Sequence, residues 1–319
     1  MRAAGVGRLA PRATAVFLVA SNAPDLDIVA GLAGAHVYLD WHRHFTHALL
    51  FAPLVALAAV AIVRVAVREP LRWRLLVPAG VAAAVLHDAL DWLNIYGIRL
   101  WLPFSSRMDR LDITPVVDVW ILLALLLSVA APALSRLVGA EIGESRRGGR
   151  YGAVAAAAAL VFILAYNAGR AVLHERAVAT LASRIYRGEP ARRVAAFPDP
   201  VWPLRWRGLV ELDSRLLLHR VDLLGRFDPE KGEVYYQAPR SPAIEQARRT
   251  VPFQSFEAFA AFPLWVELPP GGADGAVEVQ LLDLRFGTPR EPGFAATARI
   301  FPDTGAVRSW FTFGRPRSR

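Results

Sequence analysis

A chain of 319 residues has room for two domains, and its 54% apolar content is high for a water-soluble protein of that size. Zero cysteines exclude disulfides and thiolate-held metals, so any metal must be taken by His, Asp, Glu or Asn. The formal charge of +9 rests on arginine, with Lys231 the one lysine; it reads as compositional bias with no nucleic-acid signal, although such a surface suits anionic lipid headgroups.

The apolar stretch from Ala13 to Ala23 runs into Pro24-Asp25 instead of a small-residue cleavage site, so no cleavable signal peptide is expected. Extended to Gly34, it is a weak candidate for a membrane span, because Asn22, Asp25 and Asp27 interrupt it. Four later stretches have the roughly 20 apolar residues that a crossing needs. They are His47–Val67, Leu75–Leu93, Val116–Val138 and Gly152–Leu173. Pro53, Pro78 and Pro132 are tolerable there when neighbouring helices satisfy the freed backbone groups. From His174 to Ala196 an amphipathic helix is expected to leave the membrane and to break at Pro198, Pro200 and Pro203.

Beyond that point the pattern turns strand-like over Trp206–Leu212, Arg215–Leu223, Leu264–Leu268, Val277–Phe286, Phe294–Phe301 and Val307–Phe313. Turns such as Pro269-Pro270-Gly271-Gly272 and Asp303-Thr304-Gly305 separate several of them. Helical pieces are expected near Ile244–Thr250 and Phe253–Phe262. The predicted fold class is an all-α polytopic membrane domain of about five hydrophobic segments over residues 1–173, followed by a small, mainly antiparallel α+β soluble domain over 174–319.

Arginines set the orientation. Arg64, Arg68, Arg72 and Arg74 share one side with Arg136, Arg146, Arg147 and Arg150, and the positive-inside rule makes that side the cytoplasm. Arg2, Arg8 and Arg12 fit the same side if the Ala13 segment crosses once. Residues 36–46, the loop 94–115 and the whole chain after Leu173 then face outward, together with Arg43, Arg99, Arg107 and Arg110. The chain is thus expected in a bacterial-type inner membrane with an extracytoplasmic C-terminal domain.

The residues that carry chemistry are Asp25 and Asp27 in PDLD, His42, Arg43 and His47 in HRHFTH, His87 and Asp91 in HDALD, and Asp118. His47, His87, Asp91 and Asp118 all reach the outer boundary in this topology, with His47 opening the first long helix. His87 and Asp91, four apart, share one helical stripe. Ionisable groups at membrane depth are costly and mark functional sites by default. Mixed His and Asp donors suit zinc, manganese or iron, and a bound ion would activate water for attack on an ester or phosphodiester.

Blander readings stand beside each. His42 and His44 suit an interfacial position, Asp25 a helix cap, Asp118 a charge favoured by a helix dipole, and Asp88 contact with water or arginine. His174 and His219 carry no special role, and Asp109 and Asp112 read as loop acids. There is no GxSxG, phosphate-binding glycine loop or HExxH, and Ser105 and Ser106 lack a base.

The stretches SNAPDLDIVAG, HRHFTHALL, LHDALDWLNIYGIRLWLPFS and LDITPVVDVW follow in the order and spacing of a known family. On them the chain resembles the YdjM-like family of inner-membrane proteins, to which metal-dependent hydrolysis is ascribed and some of which are described as LexA-binding. WRGLVELDSRLLLHRVDLL and VQLLDLRF look like the C-terminal part of longer members. The resemblance implies metal roles for Asp25, Asp27, His42, His47, His87 and Asp91, and catalytic roles for Arg43 and Asp118. Arg43 would bind phosphate, its planar fork suiting that anion. Distant similarity of the family to zinc-dependent phospholipases C implies phosphodiester hydrolysis, with zinc, or else manganese, as the ion.

Three departures stand out. The Thr-His pair on a short N-terminal helix is absent, so either the chain starts late or one ligand is missing. His44 replaces the glycine of HRG, and Val119 replaces the proline after Asp118. The expected function is a membrane-bound metal-dependent hydrolase acting on a phospholipid or other phosphodiester. The alternative is a non-enzymatic membrane scaffold or envelope-stress protein whose soluble domain binds a partner, with the polar cluster as a helix-packing network. A transporter ranks third, since no inverted repeat is visible.

Overall fold

The fold is that of a computed structural model, which describes residues 12–141, 148–270 and 275–314. Arg2, Arg8, Arg146, Arg147, Gly271 and Gly272, named above, lie outside the described residues.

Helix α1 (Ala13–Asn22) bends by 41° into a 3-10 segment, Pro24–Ala33. Proline has no backbone N–H and cannot continue the preceding ladder, so the break falls at Pro24. Helix α2 (Ala35–Trp41) follows Gly34, whose φ of 134° is open to glycine and strained for other residues. Two 3-10 turns, Phe45–His47 and Leu49–Phe51, precede α3 (Ala52–Val67). His47 therefore lies on a turn ahead of the long helix and does not open it: Ala48 between the turns is extended, and Pro53 seeds the helical first turn.

Helix α4 (Trp73–Leu93) matches its expected span, whereas α5 (Val119–Glu141) and α6 (Gly148–Ala182) depart from theirs. Among the described residues, Leu49–Val67, Trp73–Leu93 and Tyr151–Ala182 are long and apolar enough to cross a membrane, and the bent pair Ala13–Asn22 and Pro24–Ala33 makes a fourth if it is a single span. The apolar part of α5, Val119–Ser135, rises about 25 Å, short of the hydrocarbon thickness of about 30 Å. Helix α6 runs through His174 without leaving its axis, and the segment expected to stay helical to Ala196 does not. The chain turns at Arg187 and Gly188, both at positive φ, between the short strands β1 (Ile185–Tyr186) and β2 (Glu189–Pro190). It then enters β3 (Arg193–Pro198), a continuous apolar run, Val-Ala-Ala-Phe, that becomes buried toward its end.

Two compact units result. Met1–Leu26, Arg43–Arg176 and Phe197–Arg205 form one; Asp27–His42, Ala177–Ala196 and Trp206–Arg319 form the other. In the first, α1, α3 and α4 bury Ala13, Val16, Val60, Val63 and Leu76 in one cluster, and Ala20, Ala59 and Ala83 in another. Small side chains at such crossings let backbones approach, which is how helices gain packing where lipid offers no hydrophobic drive. A Cβ on Gly80 would lie 3.0 Å from that of Ala56.

In the second unit, β3, β4 (Arg205–Glu211), β5 (Arg215–Asp222) and β6 (Glu233–Tyr236) form one four-stranded sheet in sequence order. Strands β7 (Pro263–Leu268), β8 (Val277–Asp283), β9 (Phe294–Phe301) and β10 (Ala306–Phe313) form an antiparallel meander. Helices α7 (Pro242–Arg248) and α8 (Val251–Phe259) pack on that meander, burying Phe253, Phe256 and Phe259. Ser241 caps α7 by accepting the Ile244 N–H at 3.2 Å. The chain is thus a helical membrane region followed by antiparallel sheets with helices.

Candidate metal centre

Four side chains from three segments meet in the first unit. His87 and Asp91 project from the last turns of α4, one turn apart. His47, fully buried, comes from the 3-10 turn before α3, beside a backbone bond from Leu49 N–H to the Leu100 carbonyl at 3.1 Å. Asp25 follows Pro24 at the break after α1, and its side chain is 52% exposed.

Their ligand atoms all lie within 4.8 Å of one another. His47 Nε2 stands 3.3 Å from His87 Nε2, 3.4 Å from Asp25 Oδ1 and 3.4 Å from Asp91 Oδ2. His87 Nε2 is 3.5 Å from Asp25 Oδ1 and 3.4 Å from Asp91 Oδ2. Bonds of 2.0–2.1 Å to a tetrahedral ion require ligand atoms about 3.3 Å apart. The separations involving an imidazole all fit that figure. Two carboxylates and two neutral imidazoles carry a charge that a divalent cation cancels, which favours the ion at membrane depth.

A supporting layer fixes Asp91. Its Oδ1 accepts from Arg43 Nη2 at 2.8 Å and from Asn94 Nδ2 at 3.3 Å. The opposite oxygen, Oδ2, is buried without a hydrogen-bond partner among the described residues and faces both imidazoles. Arg43 is itself pinned, through Nη1 to Asn94 Oδ1 at 3.0 Å and to the Gly97 carbonyl at 3.3 Å, with its guanidinium 4.7 Å from the Tyr96 ring centre. Such outer partners orient a ligating carboxylate and set its basicity.

Of the eight residues singled out in the sequence, Asp25, His47, His87 and Asp91 form the cluster, and Arg43 contacts it through Asp91. Asp27 and His42 bond each other, Oδ1 to Nδ1 at 2.7 Å, and His42 stacks on Tyr38. Asp118 caps α5: Oδ1 accepts from the N–H groups of Trp120 and Ile121 at 2.9 and 3.2 Å, and Oδ2 from the Tyr166 hydroxyl at 2.9 Å.

Asp88, expected against water or arginine, is instead 1% exposed, with Oδ1 unbonded among the described residues. It continues the stripe of Gly80 and Ala84 that α4 turns inward, and the i, i+4, i+8 spacing places it there. Asn94 was not singled out. Its only signal was its place three residues after Asp91, at the helix C-cap.

A model of the YdjM inner membrane protein family matches residues 2–176, which include every residue of the cluster. The chain is 33% identical over 119 residues to the uncharacterized protein YfhP of Bacillus subtilis (strain 168). That match covers 35% of this chain and 34% of YfhP, about a third of the relative's length. No solved structure matches. With more than half its length matched, and the polar cluster and apolar helices inside the match, the chain belongs to the YdjM inner membrane protein family.

Proposed function

We propose that this protein is a membrane-bound, zinc-class metal-dependent hydrolase of phosphodiester or lipid substrates. The observation that carries the reading is the convergence of Asp25, His47, His87 and Asp91 donor atoms, with every separation that involves an imidazole at 3.3–3.5 Å, at the ends of apolar helices. Two nitrogens and two carboxylate oxygens suit zinc, with manganese the alternative; magnesium and calcium prefer six or more oxygens. When bound, such an ion supplies Lewis acidity and brings the pKa of a water at the site to about 7.

The chain's own residues divide the remaining work. His47 is fully buried and Asp91, 13% exposed, is held by Arg43 and Asn94, so both hold position. Asp25 is the exposed member, and the side it occupies is the one from which a substrate can arrive. Arg43 and Asn94 keep Asp91 Oδ2 turned inward, a positioning role in place of direct phosphate binding. Asp27 and His42 are proposed as a positioning pair on the segment that follows Asp25. Residues 174–319 are proposed as an extracytoplasmic domain.

A second reading draws on the same geometry. Structural zinc sites are closed by four protein ligands, whereas catalytic ones keep a position open. A four-residue set therefore also fits a scaffold stapled by metal. Elemental mass spectrometry on untagged protein separates the readings when combined with assays on a chromogenic phosphodiester and on short-chain phospholipids. About one equivalent of metal, lost together with hydrolysis in the His87→Ala, Asp91→Ala variant, is the expected result. Metal without hydrolysis favours the scaffold, and absence of metal from folded protein defeats both.

A further inference from the structure

Asp25 and Asp27 stand two residues apart on the 3-10 segment Pro24–Ala33, yet they serve different partners. With three residues per turn, positions two apart point about 120° away from each other, so the pair cannot face one site. Asp25 Oδ1 meets His47 and His87, whereas Asp27 Oδ1 bonds His42 Nδ1 at 2.7 Å. The division runs through the fold as well. Leu26 ends a stretch of the helical unit, and Asp27–His42 belongs to the unit that holds Trp206–Arg319. That second stretch follows the cluster residue Asp25 and is itself followed by Arg43, which holds Asp91.

What holds Asp27–His42 lies in the C-terminal domain. Burial does little for the 3-10 segment, where Leu26, Ile28, Val29 and Leu32 are all exposed. Helix α2 supplies the anchor, packing on α8 and on β10 with Leu39 buried. Ser255 of α8, itself buried, donates to Asp40 Oδ2 at 2.8 Å. The Tyr38 ring meets Phe313 of β10 edge-on, 5.3 Å between ring centres, and stacks on His42 at 4.5 Å. His42 in turn holds Asp27, two residues from Asp25. Phe313, Tyr38, His42 and Asp27 thus form an unbroken run of contacts that starts on a C-terminal strand. The other end of the stretch needs no such anchor, because Arg43 is fixed by Asn94, the Gly97 carbonyl and the Tyr96 ring. Any looseness in the stretch is therefore felt at Asp25, the exposed member of the cluster.

We propose that the C-terminal domain positions Asp25 in the metal centre through this run, with Tyr38, His42, Ser255 and Phe313 as positioning residues; the inference rests on the metal-binding part of the reading above, not on hydrolysis. A ligand held in place before the ion arrives avoids the ordering cost that a loose one meets on binding. Partners one step behind a ligand change metal affinity by about 10–100-fold when they are lost. The C-terminal domain thereby has a task in the centre without lending it a donor, since the four donors are Asp25, His47, His87 and Asp91.

The test uses the full chain in detergent, titrated with zinc against a competing chelator and, separately, loaded with cobalt(II), whose visible bands report coordination. Tyr38→Ala and His42→Ala should weaken zinc binding about tenfold, and Tyr38→Phe, which keeps the ring, should restore it. Phe313→Ala and Ser255→Ala, made in the C-terminal domain, should weaken it in the same direction, and they carry the prediction if Tyr38→Ala fails to fold. Their cobalt spectra should move toward that of Asp25→Ala. In an Asp25→Ala background none of them should weaken zinc binding further, since residues that act through one ligand are not additive. Ser241→Ala is the control: it removes the α7 cap in the same domain, so it should lower the melting midpoint and leave affinity and spectrum alone. Unchanged affinity in the Tyr38→Ala and Phe313→Ala variants overturns the proposal. So does an undiminished loss in the Asp25→Ala background, or equal weakening by Ser241→Ala. Zinc bound without hydrolysis defeats the hydrolase alone, whereas a wild type that takes no zinc defeats the centre and this inference together.

Discussion

His219 shows how far a single residue can escape a sequence reading. It carried no expected role, yet β5 places it 4% exposed between the rings of Tyr186 and Phe227, at 5.3 and 5.2 Å. Gly232 lies so close that an added Cβ would fall 2.4 Å from the imidazole. Burial holds its pKa below the ordinary 6.5, and Arg187 adds to that, while Asp228 and Glu230 oppose it. The sign follows from proton counting: the unfolded chain takes a proton near pH 6.5 while the folded chain stays neutral. Stability is therefore fully present above 6.5 and falls as pH drops, by up to about 1.4 kcal/mol per pH unit, until the folded pKa is reached. Thermal melts followed by tryptophan fluorescence should show a falling midpoint from pH 7.5 to 5, and His219→Phe should flatten the curve. An equal fall in that variant would assign the effect to other groups. The position was legible in one respect, since period-two alternation with Leu217 and Val221 puts residue 219 on the buried face. His87 and Asp91 were legible for a stronger reason, being polar residues four apart in an apolar helix. Asn94 and the inward turn of Asp88 were not, because both depend on which face of α4 its neighbours cover.

At the scale of elements, the existence of helices and strands was written in apolar length and alternation, while their ends were written in backbone details that composition hides. Strands β4, β5, β7, β9 and β10 fall within a residue of expectation. The turn carrying His47, the unbroken run of α6 and the strand β3 do not: the first depends on the extended Ala48, and the third follows a turn with positive φ at both Arg187 and Gly188. The element that most directly builds the candidate metal centre is the α3–α4 crossing, because His47 lies just before one helix and His87 and Asp91 end the other. Gly80 sets its closeness, with Ala56 Cβ 3.0 Å and Ala56 Cα 3.3 Å from where its Cβ would be. Gly80→Leu should destabilise the protein by about 1–3 kcal/mol through overpacking and lower metal occupancy together with the melting midpoint. Occupancy unchanged at a lowered midpoint would mean that the centre does not depend on this crossing.

For the whole molecule, the side of the membrane is a question of charge, and the structure sharpens what one measurement decides. Leu93, at the end of α4, and Arg170, twelve residues before the end of α6, are linked by hydrogen bonds through Ile113. Arg170 of α6 therefore lies level with the end of α4 that carries His87 and Asp91, whatever number of crossings precedes it. The short apolar run of α5 and the bend after α1 leave crossing parity an unsafe guide, but this tie does not depend on parity. By the positive-inside rule, Arg64, Arg68, Arg72 and Arg74 near the other ends predict a cytoplasmic position for those ends. Alkaline phosphatase fused after residue 319 should thus be active, and a fluorescent protein fused there dark. That result would put the metal centre at the outer leaflet, with lipid substrates drawn from it. The reverse pattern would overturn the predicted orientation, and the lipid pool to be assayed would change with it.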